Sequence, residues 1–184
     1  MLGVEPANKT LGVIGMGRIG KAFAKRMVGG WAMKCVYTSR SNQTDVDETL
    51  SARRVDIEEL YQCSDFISVH VALTDETRSL MDAEAFSKMK DDVVLVNTAR
   101  GEIIDQDALL EALNSEKVFA AGLDVTTPEP LPHEHPLVRH PGTIILPHIG
   151  SATDQSRLAM AEIAVDNILN GIRGETLRCE VSLA

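Results

Sequence analysis

A six-residue segment near the start of the chain carries three glycines at the spacing of a phosphate-binding turn. It reads Gly15-Met16-Gly17-Arg18-Ile19-Gly20, follows an apolar run and precedes a helical pattern. In that context the first glycine allows a tight turn, the second lets a pyrophosphate approach the backbone, and the third permits close packing of helix on strand. The free N–H groups of the helix start favour an anion. We therefore expect a dinucleotide here; a glycine-rich turn without a ligand is the alternative.

The end of the second predicted strand bears on which dinucleotide binds. An NAD site carries Asp or Glu about twenty residues after the glycines, whereas this chain has Tyr37-Thr38-Ser39-Arg40. Ser39 can hydrogen-bond a 2′-phosphate and Arg40 can pair with it. We expect NADPH to be preferred, with NAD as the other candidate cofactor. The alternatives are that Arg40 is solvated or that it stacks on the adenine.

Short apolar runs alternate with helical patterns along the whole chain, which is typical of a parallel sheet with helical crossovers. The strand candidates are residues 11–14, 33–37, a weak one near Val55, 66–69, 93–96, 118–123 and 144–146. These predict an α/β fold, a Rossmann-type doubly wound parallel sheet of about seven strands. We expect a single domain over residues 1–174 and a C-terminal tail over residues 175–184.

Polar and small residues mark where the helices begin and end. We expect a first helix ended by Gly29-Gly30, helices capped by Asp56, Asp82 and Asp105, and a long helix over 153–170 ended by Gly171. Residues 41–51 are polar and predict a loop or a weak helix. Four of the seven prolines lie in residues 127–136, which predicts an irregular loop.

Composition narrows the classes of partner and compartment. The chain has 184 residues, 44% of them hydrophobic, and a net charge of −9, which disfavours binding to nucleic acid. No apolar run approaches the ~20 residues of a membrane span, and no signal peptide is evident. Three cysteines at unpaired spacing fit a reducing compartment. We therefore expect a cytoplasmic protein with no membrane and no nucleic-acid partner.

Three further polar segments follow predicted strands, at the sheet edge where open α/β folds bind ligands. They are residues 97–101, 122–125 and 146–153. Together with the glycine turn they resemble the D-isomer-specific 2-hydroxyacid dehydrogenases, from Thr10 to about Gly174. Residues 121–132, 37–40 and 171–175 are most similar to the family members that reduce glyoxylate and hydroxypyruvate. The resemblance implies an oxidoreductase that transfers a hydride from the cofactor to a small 2-oxo acid.

The resemblance also implies a role for each motif residue. Arg100 would bind the substrate's carboxylate and keto oxygen, and His148 would donate a proton to the ketone. Glu129 would hold His148 in one tautomer and favour its protonated form, and Asp124 would bond the nicotinamide carboxamide. The alternatives are structural: Arg100 capping a helix or pairing with Glu102, Glu129 as an exposed loop acid, and His148 as a structural histidine.

The remaining expected cofactor contacts come from the same motifs. Including the residues already discussed, the predicted cofactor-binding set is Gly15, Gly17, Arg18, Ile19, Gly20, Ser39, Arg40, Val71, Leu73, Thr77, Thr98, Ala99, Arg100, Asp124, His148 and Gly150. Ala72 stands where the family often has proline, which would loosen the loop near the nicotinamide. We predict no metal site, because no cysteine or carboxylate set completes a shell around His133 and His135.

Family members have a second domain that forms the other wall of the substrate cleft. The resemblance implies that this domain would precede Met1 and that it is missing from the chain. It also implies a homodimer formed through the cofactor domain, with the helix over residues 19–27 and Trp31 as the contact. Two alternatives stay open: a non-enzymatic dinucleotide-sensing module like the corepressors of this fold, and a relative acting on another 2-oxo acid or on formate.

Overall fold

The computed structural model describes residues 2–180 and divides the chain into two compact units. The first unit, Met1–His148, contains a parallel sheet and its flanking helices. The second unit, Ile149–Ala184, contains one long helix. The predicted domain boundary after residue 174 stays a prediction.

The sheet of the first unit has seven strands within the described residues, all parallel, in the order β3-β2-β1-β4-β5-β6-β7. The strands are β1 (Thr10–Ile14), β2 (Lys34–Thr38), β3 (Arg53–Arg54), β4 (Phe66–Val69), β5 (Val93–Asn97), β6 (Val118–Leu123) and β7 (Thr143–Ile145). The chain runs outward from β1 to β3 and then returns to the other side of β1, so the strand order reverses between β1 and β4. The doubly wound sheet predicted from the sequence is confirmed, and the reversal is where such folds bind ligands.

Both faces of this sheet are buried at its central strands, β1 and β4. Successive side chains of a strand point to opposite faces. Accordingly, Leu11 and Val13 of β1 belong to one buried cluster, while Ile14 belongs to a second cluster with Ile67 and Leu95. Burial on both faces explains why the strands read as continuous apolar runs instead of alternating ones.

Most helices begin where the sequence predicts, but not all of them end there, and the short helix Pro136–Arg139 was not predicted. They are α1 (Arg18–Trp31), α2 (Thr44–Leu50), α3 (Ile57–Cys63), α4 (Ala83–Lys88), α5 (Gln106–Asn114), α6 (Pro136–Arg139) and α7 (Asp154–Arg173). The carboxylates of Asp56, Asp82 and Asp105 accept hydrogen bonds from backbone N–H groups of the first turns of α3, α4 and α5, which confirms the predicted caps. The polar stretch after β2 forms helix α2, so the helical alternative was correct.

Two predicted helix ends were wrong. Helix α1 continues through Gly29 and Gly30 and stops at Ala32, which takes a left-handed φ of 52° and donates its N–H to Val28. A helical glycine costs only about 1 kcal/mol relative to alanine, so glycine alone does not end a helix. Likewise α7 passes Gly171 and ends at Gly174, whose φ of 68° provides the left-handed cap.

Other sequence expectations concern the surface and the thiols. Between residues 2 and 180, no helix is long and apolar enough to cross a membrane. Cys35 is buried, Cys63 is half-buried and Cys179 is exposed, and all three are free thiols.

Candidate active site

The glycine turn connects β1 to α1 in a backbone geometry that depends on glycine. Gly15 has a φ of +97°, which other residues rarely adopt, and its N–H donates to the carbonyl of Thr38 at 3.0 Å. A Cβ on Gly20 would lie 2.2 Å from the Gly15 carbonyl oxygen, so only glycine lets α1 start this close to the turn. A Cβ on Gly17 would meet no atom within 4 Å, which leaves open space in front of the backbone.

The start of α1 faces this space with unoccupied donors. Gly17 is the N-cap residue of the 14-residue helix and provides no side-chain hydrogen bond to its first turn. The first N–H groups of a helix have no partner inside the helix and carry a partial positive charge. The open space and the free donors together fit the pyrophosphate of a dinucleotide.

A groove of about 630 Å³ extends from the glycine turn to the end of β2. Among its lining residues are six predicted cofactor contacts: Gly15, Gly17, Ser39, Arg40, Val71 and Thr77. The lining also includes residues that the sequence analysis did not select: Met16, Ser41, Gln43, His70, Ala72, Thr74 and Glu76. Most of these are sequence neighbours of selected residues, and that proximity was the available signal.

A second groove of about 410 Å³ is lined partly by the same segment. Its lining brings together the predicted contacts Ile19, Val71, Leu73, Thr98, Ala99 and Arg100. His70, Val71 and Ala72 line both grooves, so the two spaces meet along the segment that follows β4. Gly20 is buried beneath the glycine turn, and Arg18 is exposed at the start of α1 without lining either groove.

His70 is the most informative residue that sequence reasoning passed over. Nε2 of its imidazole lies 2.9 Å from the hydroxyl of Ser68, and the ring centroid lies 5.2 Å from that of Phe23. The backbone N–H of His70 donates to the carbonyl of Ile14. Burial lowers the pKa of His70 to about 4. The imidazole is therefore neutral near pH 7 and contributes shape and hydrogen bonding to the grooves, not charge.

The turn after β5 is organised by a buried asparagine. Asn97 has no exposed surface, donates to the Arg100 carbonyl at 2.9 Å and accepts from the Ala99 N–H at 2.9 Å. The guanidinium of Arg100 is exposed and donates to the Ala99 carbonyl. Arg100 neither caps the short 3₁₀ helix Gly101–Ile103 with its side chain nor pairs with Glu102. Its side chain thus emerges at the edge of the second groove.

Glu129 and His148 form a hydrogen-bonded pair although 19 residues separate them. The Oε1 atom of Glu129 lies 2.7 Å from Nδ1 of His148. The N–H of His148 donates to the carbonyl of Asp124 at 2.9 Å, which ties the segment after β7 to the end of β6. Both side chains are accessible, at 48% for His148 and 38% for Glu129. A carboxylate on one ring nitrogen leaves the other nitrogen to exchange a proton with a bound ligand.

The loop that carries Glu129 is held by contacts outside the predicted set. The side-chain amide of Gln106 pairs with both backbone groups of Thr127, donating at 2.6 Å and accepting at 2.8 Å. A Cβ on Gly101 would lie 2.2 Å from the carbonyl carbon of Thr126, so two backbones meet there. The N–H of Thr126 donates to Oε2 of Glu129 at 3.4 Å. The peptide bonds before Pro128 and Pro130 are cis.

The remaining predicted residues are Asp124, Gly150 and the histidines considered as metal ligands. Asp124 is buried directly after β6, and its N–H donates to the Asn97 carbonyl. Gly150 belongs to the second unit, and its cofactor role stays a prediction. His135 and His140 each accept a backbone N–H at Nδ1. Among residues 2–180, no group of three or more His, Cys, Asp or Glu side chains is placed to hold a metal ion.

A parallel sheet with a glycine turn at its switch point defines a dinucleotide-binding α/β protein. Residues 1–150 match the family model described as D-isomer specific 2-hydroxyacid dehydrogenase, NAD binding domain. The chain therefore belongs to the D-isomer specific 2-hydroxyacid dehydrogenase family, as the sequence resemblance indicated.

Named relatives and solved structures agree with this assignment. The chain is 43% identical over 173 residues to glyoxylate/hydroxypyruvate reductase B of Citrobacter koseri, covering 94% of this chain and 53% of the relative. It is 44% identical to the TT0316 protein from Thermus thermophilus, with a TM-score of 0.89 over 96% of this chain and 54% of that one. A glyoxylate reductase from Paecilomyes thermophila is 39% identical, with a TM-score of 0.88 over 96% and 53%. The chain spans about half the length of the curated relatives it matches.

Proposed function

We propose that this chain is the cofactor-binding half of an NADPH-preferring reductase of glyoxylate or hydroxypyruvate. The observation that carries the proposal is the 2.7 Å bond between Glu129 and His148 at the carboxyl edge of the sheet. A proton donor held by a carboxylate is what reduction of a ketone requires of the protein. The corepressor-like alternative is not favoured, since the named relatives are reductases.

In this proposal the residues of the chain orient the reactants and supply the proton. Bound NADPH supplies the hydride. Arg100 holds the substrate carboxylate and keto oxygen through parallel hydrogen bonds. Glu129 accepts the Nδ1–H of His148, so that Nε2 carries the proton delivered to the ketone oxygen. Asp124, buried after β6, orients the carboxamide of the nicotinamide.

The proposed NADPH preference is supported by the groove beside β2. Ser39 and Arg40 line it, and no carboxylate occupies the end of β2. Glu76 is the one acid among the lining residues; a hydrogen bond from Thr74 chiefly lowers its pKa, and the charge of Arg40 lowers it further. Because Thr74 already engages the Glu76 carboxylate, we expect Arg40 to stay available to a 2′-phosphate.

The cofactor preference is tested by titrating the chain with NADPH and NADH. Wild type should bind NADPH more tightly, and Arg40→Ala should weaken NADPH alone, by roughly 1–3 kcal/mol for one charge-assisted contact. Arg78→Ala is a matched control, because Arg78 is exposed and lies outside both grooves. Equal affinities of wild type for NADH and NADPH would contradict the proposed preference.

The reaction is tested by comparing this chain with one extended by the substrate half that the relatives' length implies. We expect the 184-residue chain to bind NADPH yet barely reduce hydroxypyruvate, since water in an open cleft screens Arg100, Glu129 and His148. The extended chain should reduce hydroxypyruvate over many turnovers. Comparable turnover by both chains would show that these three residues need no second wall.

We also propose a homodimer through the face that includes α1. Ile19 is 72% exposed and Trp31 is 47% exposed, so both side chains carry apolar surface that a partner subunit could bury. Sedimentation at micromolar concentration should show a dimer, and Trp31→Lys should give a monomer. A monomeric wild type would contradict the proposed assembly.

A further inference from the structure

The turn that follows β2 has no regular structure and yet holds a defined shape. Residues 39–42 connect β2 to the segment before α2, and Ser39, Arg40 and Ser41 line the larger groove. Most of these residues are exposed, so burial cannot fix the turn. Its conformation must come from hydrogen bonds.

Arg54 supplies those hydrogen bonds from the neighbouring strand. Its Nη2 and Nε donate to the Ser39 carbonyl at 2.8 and 3.1 Å, and Nη2 reaches the Arg40 carbonyl at 3.4 Å. Its Nη1 donates to Oδ1 of Asn42 at 2.9 Å. One planar guanidinium therefore engages three residues of the turn.

The strand that carries Arg54 is itself held in place. β3 pairs with β2 so that Arg54 lies opposite Tyr37, and the N–H of Val55 donates to the Tyr37 carbonyl at 2.9 Å. The buried Tyr37 hydroxyl accepts the N–H of Gln43 at 3.0 Å and donates to Asp47 at 2.9 Å. The turn is thus fixed at its far end by Tyr37 and along its length by Arg54.

The direction of these bonds determines what the turn presents on its other side. In a planar trans peptide the C=O of one residue and the N–H of the next point in opposite directions. With the Ser39 and Arg40 carbonyls turned towards Arg54, the N–H groups of Arg40 and Ser41 point away from it. Neither N–H donates to another atom of the described residues. Successive free N–H groups in a turn make an anion-binding concavity.

We propose that Arg54 is a positioning residue that determines preference for a phosphate monoester on the ribose of the dinucleotide. By engaging two carbonyl oxygens, Arg54 keeps them from facing the dianion and leaves the N–H groups of Arg40 and Ser41 to bind it beside the Arg40 guanidinium. This inference rests on the proposed NADPH preference and names the residue that shapes its site.

Two substitutions separate positioning from charge. Arg54→Ala should lower NADPH affinity about tenfold, the size of one lost charge-assisted contact, and leave NADH affinity unchanged. Arg54→Lys keeps the charge but lacks the planar fork, and we expect it to lose the preference as well. Arg53→Ala is the matched control: it removes the same charge from the same strand, where Arg53 pairs with Glu59 at 2.6 Å and does not touch the turn. It should keep the wild-type ratio of NADPH to NADH affinity.

Each other pattern of affinities overturns the inference. If Arg54→Lys keeps the wild-type preference for NADPH, Arg54 acts only through its positive charge. Equal losses of NADPH affinity in Arg53→Ala and Arg54→Ala would lead to the same conclusion. Equal loss of NADH and NADPH affinity in Arg54→Ala would make its role merely structural. If wild type prefers NADPH and Arg54→Ala does too, this inference alone fails. If wild type has no preference, the proposed function fails first and the inference with it.

A direct readout uses the amides themselves. Adenosine 2′-monophosphate should shift the backbone amide resonances of Arg40 and Ser41 in nuclear magnetic resonance spectra of the 184-residue chain, and adenosine should not. The shifts should vanish in Arg54→Ala and persist in Arg53→Ala. If these two amide resonances of the wild-type chain do not shift when adenosine 2′-monophosphate is added, the proposed binding by these N–H groups is overturned.

Discussion

The glycine turn and the loop that carries Glu129 both lie at the carboxyl edge of the sheet, but they are held by different means. The glycine turn is held by close backbone contact beside buried groups, with Gly15, Gly20 and His70 packed together. The Glu129 loop has one such contact, between Gly101 and Thr126, but its outer part is exposed and is held by hydrogen bonds from Gln106 and Thr126. Changes at the first region should therefore alter stability, and changes at the second should alter chemistry while the fold persists.

The largest expected effect would sharpen this contrast at the exposed region. In the extended chain, His148→Ala should lower turnover by roughly 10²–10⁴ because the proton donor is lost. The free energy of unfolding should fall by only about 1 kcal/mol or less, because His148 is exposed, although its φ of 55° suits alanine poorly. Steady-state kinetics and urea unfolding measure the two quantities. His133→Ala, an exposed histidine of the same unit, is the control and should affect neither; near-normal turnover of His148→Ala would rule out its assigned role.

The next effect belongs to the buried region. Gly20→Ala places a Cβ 2.2 Å from the Gly15 carbonyl oxygen, so the backbone must shift. We expect the free energy of unfolding to fall by about 1–3 kcal/mol, as in overpacked cores. Gly29→Ala is the matched control in the same helix, since its Cβ would meet nothing within 4 Å; it should raise stability by about 0.5–1 kcal/mol. Equal effects of the two substitutions in urea unfolding would break the comparison.

A pH effect of similar or smaller size should come from His70. Burial lowers the pKa of His70 from 6.5 to about 4 in the folded chain. Between these values the unfolded chain binds a proton that the folded chain does not, so stability falls as the pH falls from 6.5 towards 4. We expect a loss of about 1–3 kcal/mol over that window from this residue.

The contribution of His70 is isolated by comparison with His70→Gln. The glutamine amide can still bond Ser68 but does not titrate, so the variant should lose less stability than wild type between pH 6.5 and 4. Urea unfolding at each pH gives both curves. Parallel curves for the two proteins would mean that His70 is not desolvated in the way its surroundings indicate.

The smallest expected effect comes from Gln106, whose side chain clamps the exposed loop that carries Glu129 by bonding to Thr127. Gln106→Ala removes two neutral hydrogen bonds, worth about 0.5–1.5 kcal/mol each, from Thr127. We expect turnover of the extended chain to fall roughly tenfold with a shifted pH profile, because Glu129 no longer stays beside His148. NADPH affinity should not change. Asp107→Asn, an exposed neighbour on the same helix, is the control; unchanged turnover in Gln106→Ala would show that the loop does not need the clamp.

Local patterns predicted the sheet and most helix starts because the determining interactions lie within a few residues. The caps at Asp56, Asp82 and Asp105 bond to N–H groups two or three residues ahead, which a sequence displays directly. Helix ends were less predictable. Both Gly29 and Gly171 resemble terminators, yet α1 and α7 continue past them, because a helix ends where the chain must change direction and not wherever glycine permits it.

The candidate site divides in the same way. The motifs selected Arg100, Glu129 and His148, and the structure brings Glu129 and His148 together. The residues that hold the site were missed. Arg54 and Gln106 belong to no motif, and His70, although it begins the family segment that contains Ala72, was given no role. Their partners are 12 to 56 residues away in the chain: Asn42 and Ser39 for Arg54, Thr127 for Gln106, and Ile14 for His70.

The sequence by itself determined the order of strands and helices, the glycine turn and the family, because these depend on residue types at short, regular spacing. Only the tertiary structure decided that Glu129 meets His148, that Gln106 clamps Thr127, and that Arg54 turns two carbonyls away from the groove. Such contacts arise when parallel strands place distant segments at one sheet edge, and their geometry depends on distances and directions that spacing along the chain does not encode.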